Sequence, residues 1–151
     1  MLYNSYYFFY IFVYDIIQVE YIKLFYKRGA NIQDKQEILK GNVYYCDLGE
    51  SIYSEQKGLR PVLIVQNNFG NKYSPTTIVC PITSKKNKPK LPTHIKLCKN
   101  QFDFLDRDSI LLAEQVRAID KHRLKNCLGS VDGNTLIKVE NALQISFGMF
   151  T

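Results

Sequence analysis

The pattern of apolar and polar positions changes character near Gly41. Beyond it, short apolar blocks are punctuated by clusters of Gly, Asn and Pro, the texture of a small β protein. "NVYYCDL" (Asn42–Leu48) alternates imperfectly and predicts a first strand. "PVLIVQN" (Pro61–Asn67) is rich in β-branched residues and predicts a buried second strand, "TTIVCPIT" (Thr76–Thr83) a third. "THIKLC" (Thr93–Cys98) alternates as a half-exposed strand does, and "SILLAEQVRAI" (Ser109–Ile119) predicts a fifth, longer and bent strand. "DKHRLKNCLG" predicts a short helix opened by Asp120 and stopped by Gly129. A last helix follows in "NTLIKVENALQISFG". It carries Leu136, Val139, Leu143 and Phe147 on one face, with Asn134 as cap and Gly148 as stop. Five strands and a terminal amphipathic helix imply a strongly curved sheet or small barrel closed at one end by that helix.

The first forty residues do not continue this texture. They are crowded with Tyr, Phe and Ile, but Asp15, Glu20 and Lys23 interrupt any run approaching the about 20 apolar residues of a membrane span. The basic start and small-residue cleavage site of a secretory signal are missing from this stretch. The expected organisation is an aromatic-rich extension over residues 1–38, outside the domain, and one domain over residues 39–151. No membrane association is expected.

Composition sharpens the picture in two places. The chain has 20 Lys and Arg against 14 Asp and Glu; five basic and four acidic residues fall in 1–40, leaving fifteen against ten in 41–151. The basic excess therefore belongs to the domain, and its densest cluster is "SKKNKPK" (Ser84–Lys90), four lysines without an acid. Such a patch suits phosphate as well as solvent. The four cysteines (Cys46, Cys80, Cys98 and Cys127) form no C-x-x-C, and the first three lie in strand-like runs, where a thiol packs as a small hydrophobe. Reduced thiols in a cytoplasmic protein are expected. His94 and His122 offer no zinc-ligand spacing, so neither metal nor cofactor is expected.

Three polar clusters sit at the ends of the predicted strands. Ser54, Glu55 and Gln56 precede Arg60, which stands directly before Pro61 and is held extended by it. Thr83 ends the third strand, immediately before the lysine cluster that contains Lys85. Ser109 and the tetrapeptide Glu114–Arg117 ("EQVR") interrupt an otherwise apolar strand. A guanidinium, a hydroxyl and several amide and hydroxyl donors match phosphodiester binding better than acyl transfer. No G-x-S-x-G or G-x-x-x-x-G-K-[ST] pattern offers a competing chemistry. His94 reads as a strand histidine bonded to a neighbour, and His122 as exposed.

"GNVYYCDL", "SEQKGLRPVLIVQN", "GNKYSPTTIVCPIT", "LPTHI", "LLAEQVRAIDKHRL" and "NALQISFG" together resemble the MazF/PemK toxins of bacterial toxin–antitoxin systems, over residues 39–149. Asn42 stands where an acidic residue commonly follows the glycine, and Lys57 replaces a loop glycine. The resemblance implies an SH3-like small barrel of the CcdB/PemK toxin type with a C-terminal helix. It also implies a homodimeric, metal-independent endoribonuclease that cuts single-stranded mRNA to 2′,3′-cyclic phosphate and 5′-hydroxyl ends. On this resemblance the catalytic pair is Arg60 and Thr83. The RNA contacts are Ser54, Glu55, Gln56, Lys85, Ser109, Glu114 and Gln115. An acidic MazE-like antitoxin is the expected partner, and similarity to Gram-positive members points to a U-led cleavage site containing ACA. Two rival readings on the same fold are a gyrase-directed poison and an RNA-binding barrel without cleavage.

Overall fold

Strand β1 (Asn42–Asp47) pairs antiparallel with β2 (Leu59–Ile64), and β2 in turn with β3 (Thr76–Thr83). These elements come from a computed structural model that describes residues 37–51, 53–84 and 89–149. The extension expected over residues 1–38 lies almost wholly outside them, as does Lys85. No helix among the described residues is long and apolar enough to cross a membrane.

The apolar run of β2 is buried on both sides because the sheet has two cored faces. Leu63 joins Val43, Cys80, Ile82 and Leu111 on one face, while its neighbours Val62 and Ile64 join Tyr44, Cys46, Val79 and Ile119 on the other. A strand covered on both faces loses the polar alternation of a half-exposed one. The C-terminal helix adds Val139 and Ala142 to the first face.

Helix α1 (Asn68–Tyr73) occupies a stretch whose Gly and Asn predict a loop. Asn67 caps it, accepting from the Gly70 amide at 2.7 Å. The buried Asn71 ties it to β3 by accepting from Thr77 Oγ1 at 2.7 Å. One such turn cannot stand alone and owes its existence to those tertiary bonds.

The predicted fifth strand is bent, as expected, and the bend divides it. Strand β5 (Ser109–Leu112) pairs with β3 at Ile82 and Thr83 and with β4 (His94–Leu97). A 3-10 turn at Ala113–Gln115 intervenes before β6 (Arg117–Asp120) pairs with β3 at Thr76–Val79. Pro81 stands in β3 between the two pairings, and without an N–H it has nothing to donate to a continuous neighbour.

The helix predicted over Asp120–Gly129 does not form. Asp120 does cap a turn, accepting from the His122 amide at 2.8 Å, but the turn is a 3-10 one at Lys121–Arg123. Strand β7 (Leu124–Ser130) follows and covers the free edge of β1, its Leu124 and Cys127 packing on the second core face. Gly129 is not a helix stop. It lets the ring of Phe104 lie against the strand, where an added Cβ would meet Cδ1 at 2.7 Å.

Helix α2 (Gly133–Ser146) is capped by Asp132 rather than Asn134, and Phe147 is 61% exposed rather than part of its buried face. The expected SH3-like barrel is also not found. The sheet runs β4-β5-β3-β2-β1-β7 with β6 placed on β3, so it stays open between β4 and β7. Among the described residues no ladder joins β7 to β4 or to the second edge of β6, and closure would need one of them. The open edges are blunted instead. Strand β4 has only four residues and exposes Lys96, and the pairing of β7 with β1 is broken by register shifts.

Candidate functional site

The loop from Leu48 to Gly58 closes on itself at its neck. Leu48 N donates to Gly58 O at 3.1 Å, and Gly58 N donates to Gly49 O at 2.7 Å. Both glycines have positive φ (73° and 70°), a backbone that L side chains rarely adopt. The neck delivers the chain into β2 one residue before Arg60.

Arg60 is then fixed by the loop it follows. Its Nε donates to Lys57 O at 2.7 Å, and its Nη2 also reaches that carbonyl. Its Nη1 donates to Gln56 Oε1. Arg117 approaches from β6, its Nη2 donating to Gln56 O at 3.1 Å. Burial, and after it the charge of Arg117, lowers the Arg60 pKa from its ordinary value. Two guanidiniums therefore lie close enough to repel.

Strand register puts both arginines on one face with Thr83. Cross-strand partners share a face. Arg60 lies opposite Cys46, and Arg117 opposite Val79, and both partners belong to the second core face. The β2–β3 register of Val62↔Pro81, carried two residues further, sets Arg60 across from Thr83. Thr83 is only 5% exposed. Beneath them Cys46 is a packing thiol, pushed up to about 11 chiefly by burial, with Arg123 opposing that shift and Asp47 reinforcing it.

The other sequence-predicted residues divide. Gln115 joins the corner: its Oε1 accepts from Gln56 N at 2.7 Å, and its Nε2 donates to Ser54 O at 3.2 Å. Ser54 and Glu55 are exposed on the same loop, whereas Gln56 is 6% exposed. Ser109 does not join them. It pairs with Leu97, a residue of the opposite core face, and its Oγ donates to Arg107 O at 3.0 Å. Glu114 also turns elsewhere, meeting His94 Nε2 at 3.0 Å. Its charge adds to the burial that pushes the Cys80 thiol up to about 12. His94 is thus the neighbour-bonded strand histidine expected, and His122 is exposed.

Sequence reasoning placed Arg117 in a polar cluster without giving it a role. Its signal was the charge closing "EQVR", but its value depends on the β3–β6 register, which no local pattern reveals. Among the described residues no group of three or more His, Cys, Asp or Glu side chains is placed to hold a metal ion.

Two guanidiniums and a buried threonine on one corner of an open antiparallel sheet have the chemistry to receive an anion of phosphate type. Residues 39–147 match the sequence family described as PemK-like, MazF-like toxin of type II toxin–antitoxin systems, and the chain belongs to that family. It is 50% identical over 112 residues to an endoribonuclease MazF of Staphylococcus epidermidis, covering 74% of this chain and 92% of that one. It is 48% identical, with the same coverage, to the endoribonuclease MazF of Staphylococcus saprophyticus. Among solved structures, an endoribonuclease from a mycobacterial species in complex with its cognate antitoxin superposes with a TM-score of 0.62. That match has 27% identity and covers 76% of this chain and 98% of the other.

Proposed function

We propose that the chain is the ribonuclease toxin of a type II toxin–antitoxin pair, acting on single-stranded mRNA as a homodimer. The observation that carries this reading is the β2–β3 register, which, carried two residues beyond its last pair Val62↔Pro81, puts Arg60 and Thr83 on the face that Arg117 shares. The ribose 2′-oxygen attacks the adjacent phosphorus, and the bond to the 5′-oxygen breaks. The 2′-hydroxyl proton leaves to a base, and the departing 5′-oxygen gains one, giving a 2′,3′-cyclic phosphate and a 5′-hydroxyl. Negative charge grows on the non-bridging oxygens as the pentacoordinate state forms. Arg60, already oriented by Lys57 O and Gln56 Oε1, offers donors to those oxygens without reorganising. A guanidinium stays protonated far above neutral pH and is a poor base, so electrostatic stabilisation is its main role. Thr83 supplies a hydroxyl to a non-bridging oxygen or to the attacking ribose.

The family resemblance also implies that no metal takes part. Purified protein should therefore cleave a long RNA in EDTA, with cyclic phosphate ends on mapping. Arg60→Ala should cost about 3–4 kcal/mol of transition-state stabilisation, a factor of roughly 10²–10³ in rate. Thr83→Ala should also lose cleavage, with folding verified by circular dichroism. Wild-type turnover by either folded variant would sink the assignment, and RNA binding without any cut ends would leave a binding module.

A further inference from the structure

Gln56 was expected to touch RNA, but its surroundings give it other work. It is the point at which three polar struts of the site meet. Its side-chain Oε1 accepts from Arg60 Nη1, its backbone carbonyl accepts from Arg117 Nη2, and its backbone amide donates to Gln115 Oε1. At 6% exposure it offers almost no surface to a ligand. Of the five N–H groups of Arg60, the loop takes three, through Lys57 O and Gln56 Oε1.

We infer that Gln56 is a positioning residue, a pin that gathers Arg60 and Arg117 into one phosphate seat and aims the remaining Arg60 donors at the scissile group. The residue type fits the task. Two guanidiniums set close together repel, so something must hold them while the seat is empty. The backbone carbonyl takes Arg117, and the side chain takes Arg60. A carboxylate there would hold Arg60 but cancel a positive charge that the phosphate needs, whereas a carboxamide supplies the acceptor and leaves both charges in place. The pin is in turn held by Gln115, from the 3-10 turn that interrupts the β5–β6 strand. The bend in the fold thus has a use: it brings the Gln115 side chain across to the loop.

The inference rests on the ribonuclease reading, and its test separates the two. Gln56→Leu keeps the size of the side chain and removes the acceptor. Single-turnover cleavage is measured on a labelled RNA oligonucleotide containing the mapped cut site. Binding is measured on the same oligonucleotide with 2′-deoxyribose at that site, which cannot be cut. Gln56→Leu should slow cleavage about 10- to 100-fold while binding of the uncleavable analogue changes by less than about threefold. In an Arg60→Ala background the same substitution should add less than about a twofold loss, because the side-chain acceptor it removes served Arg60 alone, while Arg117 stays on the backbone carbonyl. An equal loss in both backgrounds, or a loss confined to binding, would make Gln56 an RNA contact and overturn the inference. If Gln56→Leu fails to fold by circular dichroism, Gln56→Met takes its place in the same cycle. If the wild-type protein cuts no RNA, the ribonuclease reading falls and the pin is judged by nuclear magnetic resonance alone. Restricted rotation should then resolve the Arg60 Nη signals at low temperature in wild type and average them in the variant; identical signals in both would overturn it.

Discussion

At the scale of single residues, the proposed site keeps like charges together. Arg60 is partly buried and lies beside Arg117, and both effects push its pKa down from the ordinary arginine value. The ordinary value lies so far above neutrality that the guanidinium remains charged at any physiological pH. The repulsion is therefore relieved by an anion, not by loss of a proton. Arg117 should consequently contribute to binding through charge and to orientation through its planar fork. Arg117→Ala should weaken binding of an uncleavable single-stranded oligonucleotide and flatten its salt dependence by about 0.7 in log–log slope, the share of one phosphate on a single strand. Arg117→Lys should restore the slope but not the full affinity, since an ammonium cannot reproduce the fork. Titrations at several salt concentrations check this. An Arg117→Ala slope equal to wild type would mean that Arg117 faces no phosphate.

At the scale of elements, what the sequence disclosed was local and what it hid was not. The strands at Asn42–Asp47, Thr76–Thr83 and His94–Leu97 were legible from alternation and β-branching alone. The split of the fifth strand depends on Pro81 in a different strand, and β7 depends on a free edge of β1. The openness of the sheet likewise depends on pairings between strands far apart in the chain. None of these is written in a window of ten residues. Arg60 and Thr83 could be picked out by position, but the face they share follows from register. The start of α2 is an intermediate case, because Asp132 and Asn134 are both good caps. Asp132 takes the place by accepting from Thr135 N at 2.7 Å and Gln101 Nε2 at 2.6 Å. Those bonds, the Thr135 amide first, lower its pKa below the ordinary carboxylate value. The stabilisation they give is present above the unfolded-state pKa of about 3.9 and is lost as pH falls through the lower folded value. Asp132→Asn keeps a capping oxygen that does not titrate. Its thermal midpoint should fall less than that of wild type as pH drops from about 6 to about 2. Parallel declines would show that the cap contributes nothing to acid sensitivity.

At the scale of the whole molecule, charge and the architecture of the site bear on how such a protein is restrained. A stable enzyme that cuts its host's messages needs an inhibitor that reaches the seat. The basic excess lies in residues 41–151, where fifteen Lys and Arg face ten Asp and Glu, and four lysines follow Thr83 in "SKKNKPK". A partner suited to that surface is acidic and disordered before binding, laying carboxylates and apolar anchors along the path that RNA would take. Its carboxylates would compete for the same guanidiniums as the phosphate. Charge matching would speed association, and salt would slow it by screening. Replacing Lys85, Lys86, Lys88 and Lys90 with Gln should therefore weaken antitoxin and RNA binding together, mainly through slower association. The apolar part of the antitoxin contact should survive, so its affinity should fall less steeply with added salt in the variant than in wild type. Stopped-flow association rates at two salt concentrations, with and without the oligonucleotide, check each part. Salt-independent association together with RNA bound unhindered in the complex would remove direct occlusion, and inhibition would then have to act at a distance from the seat.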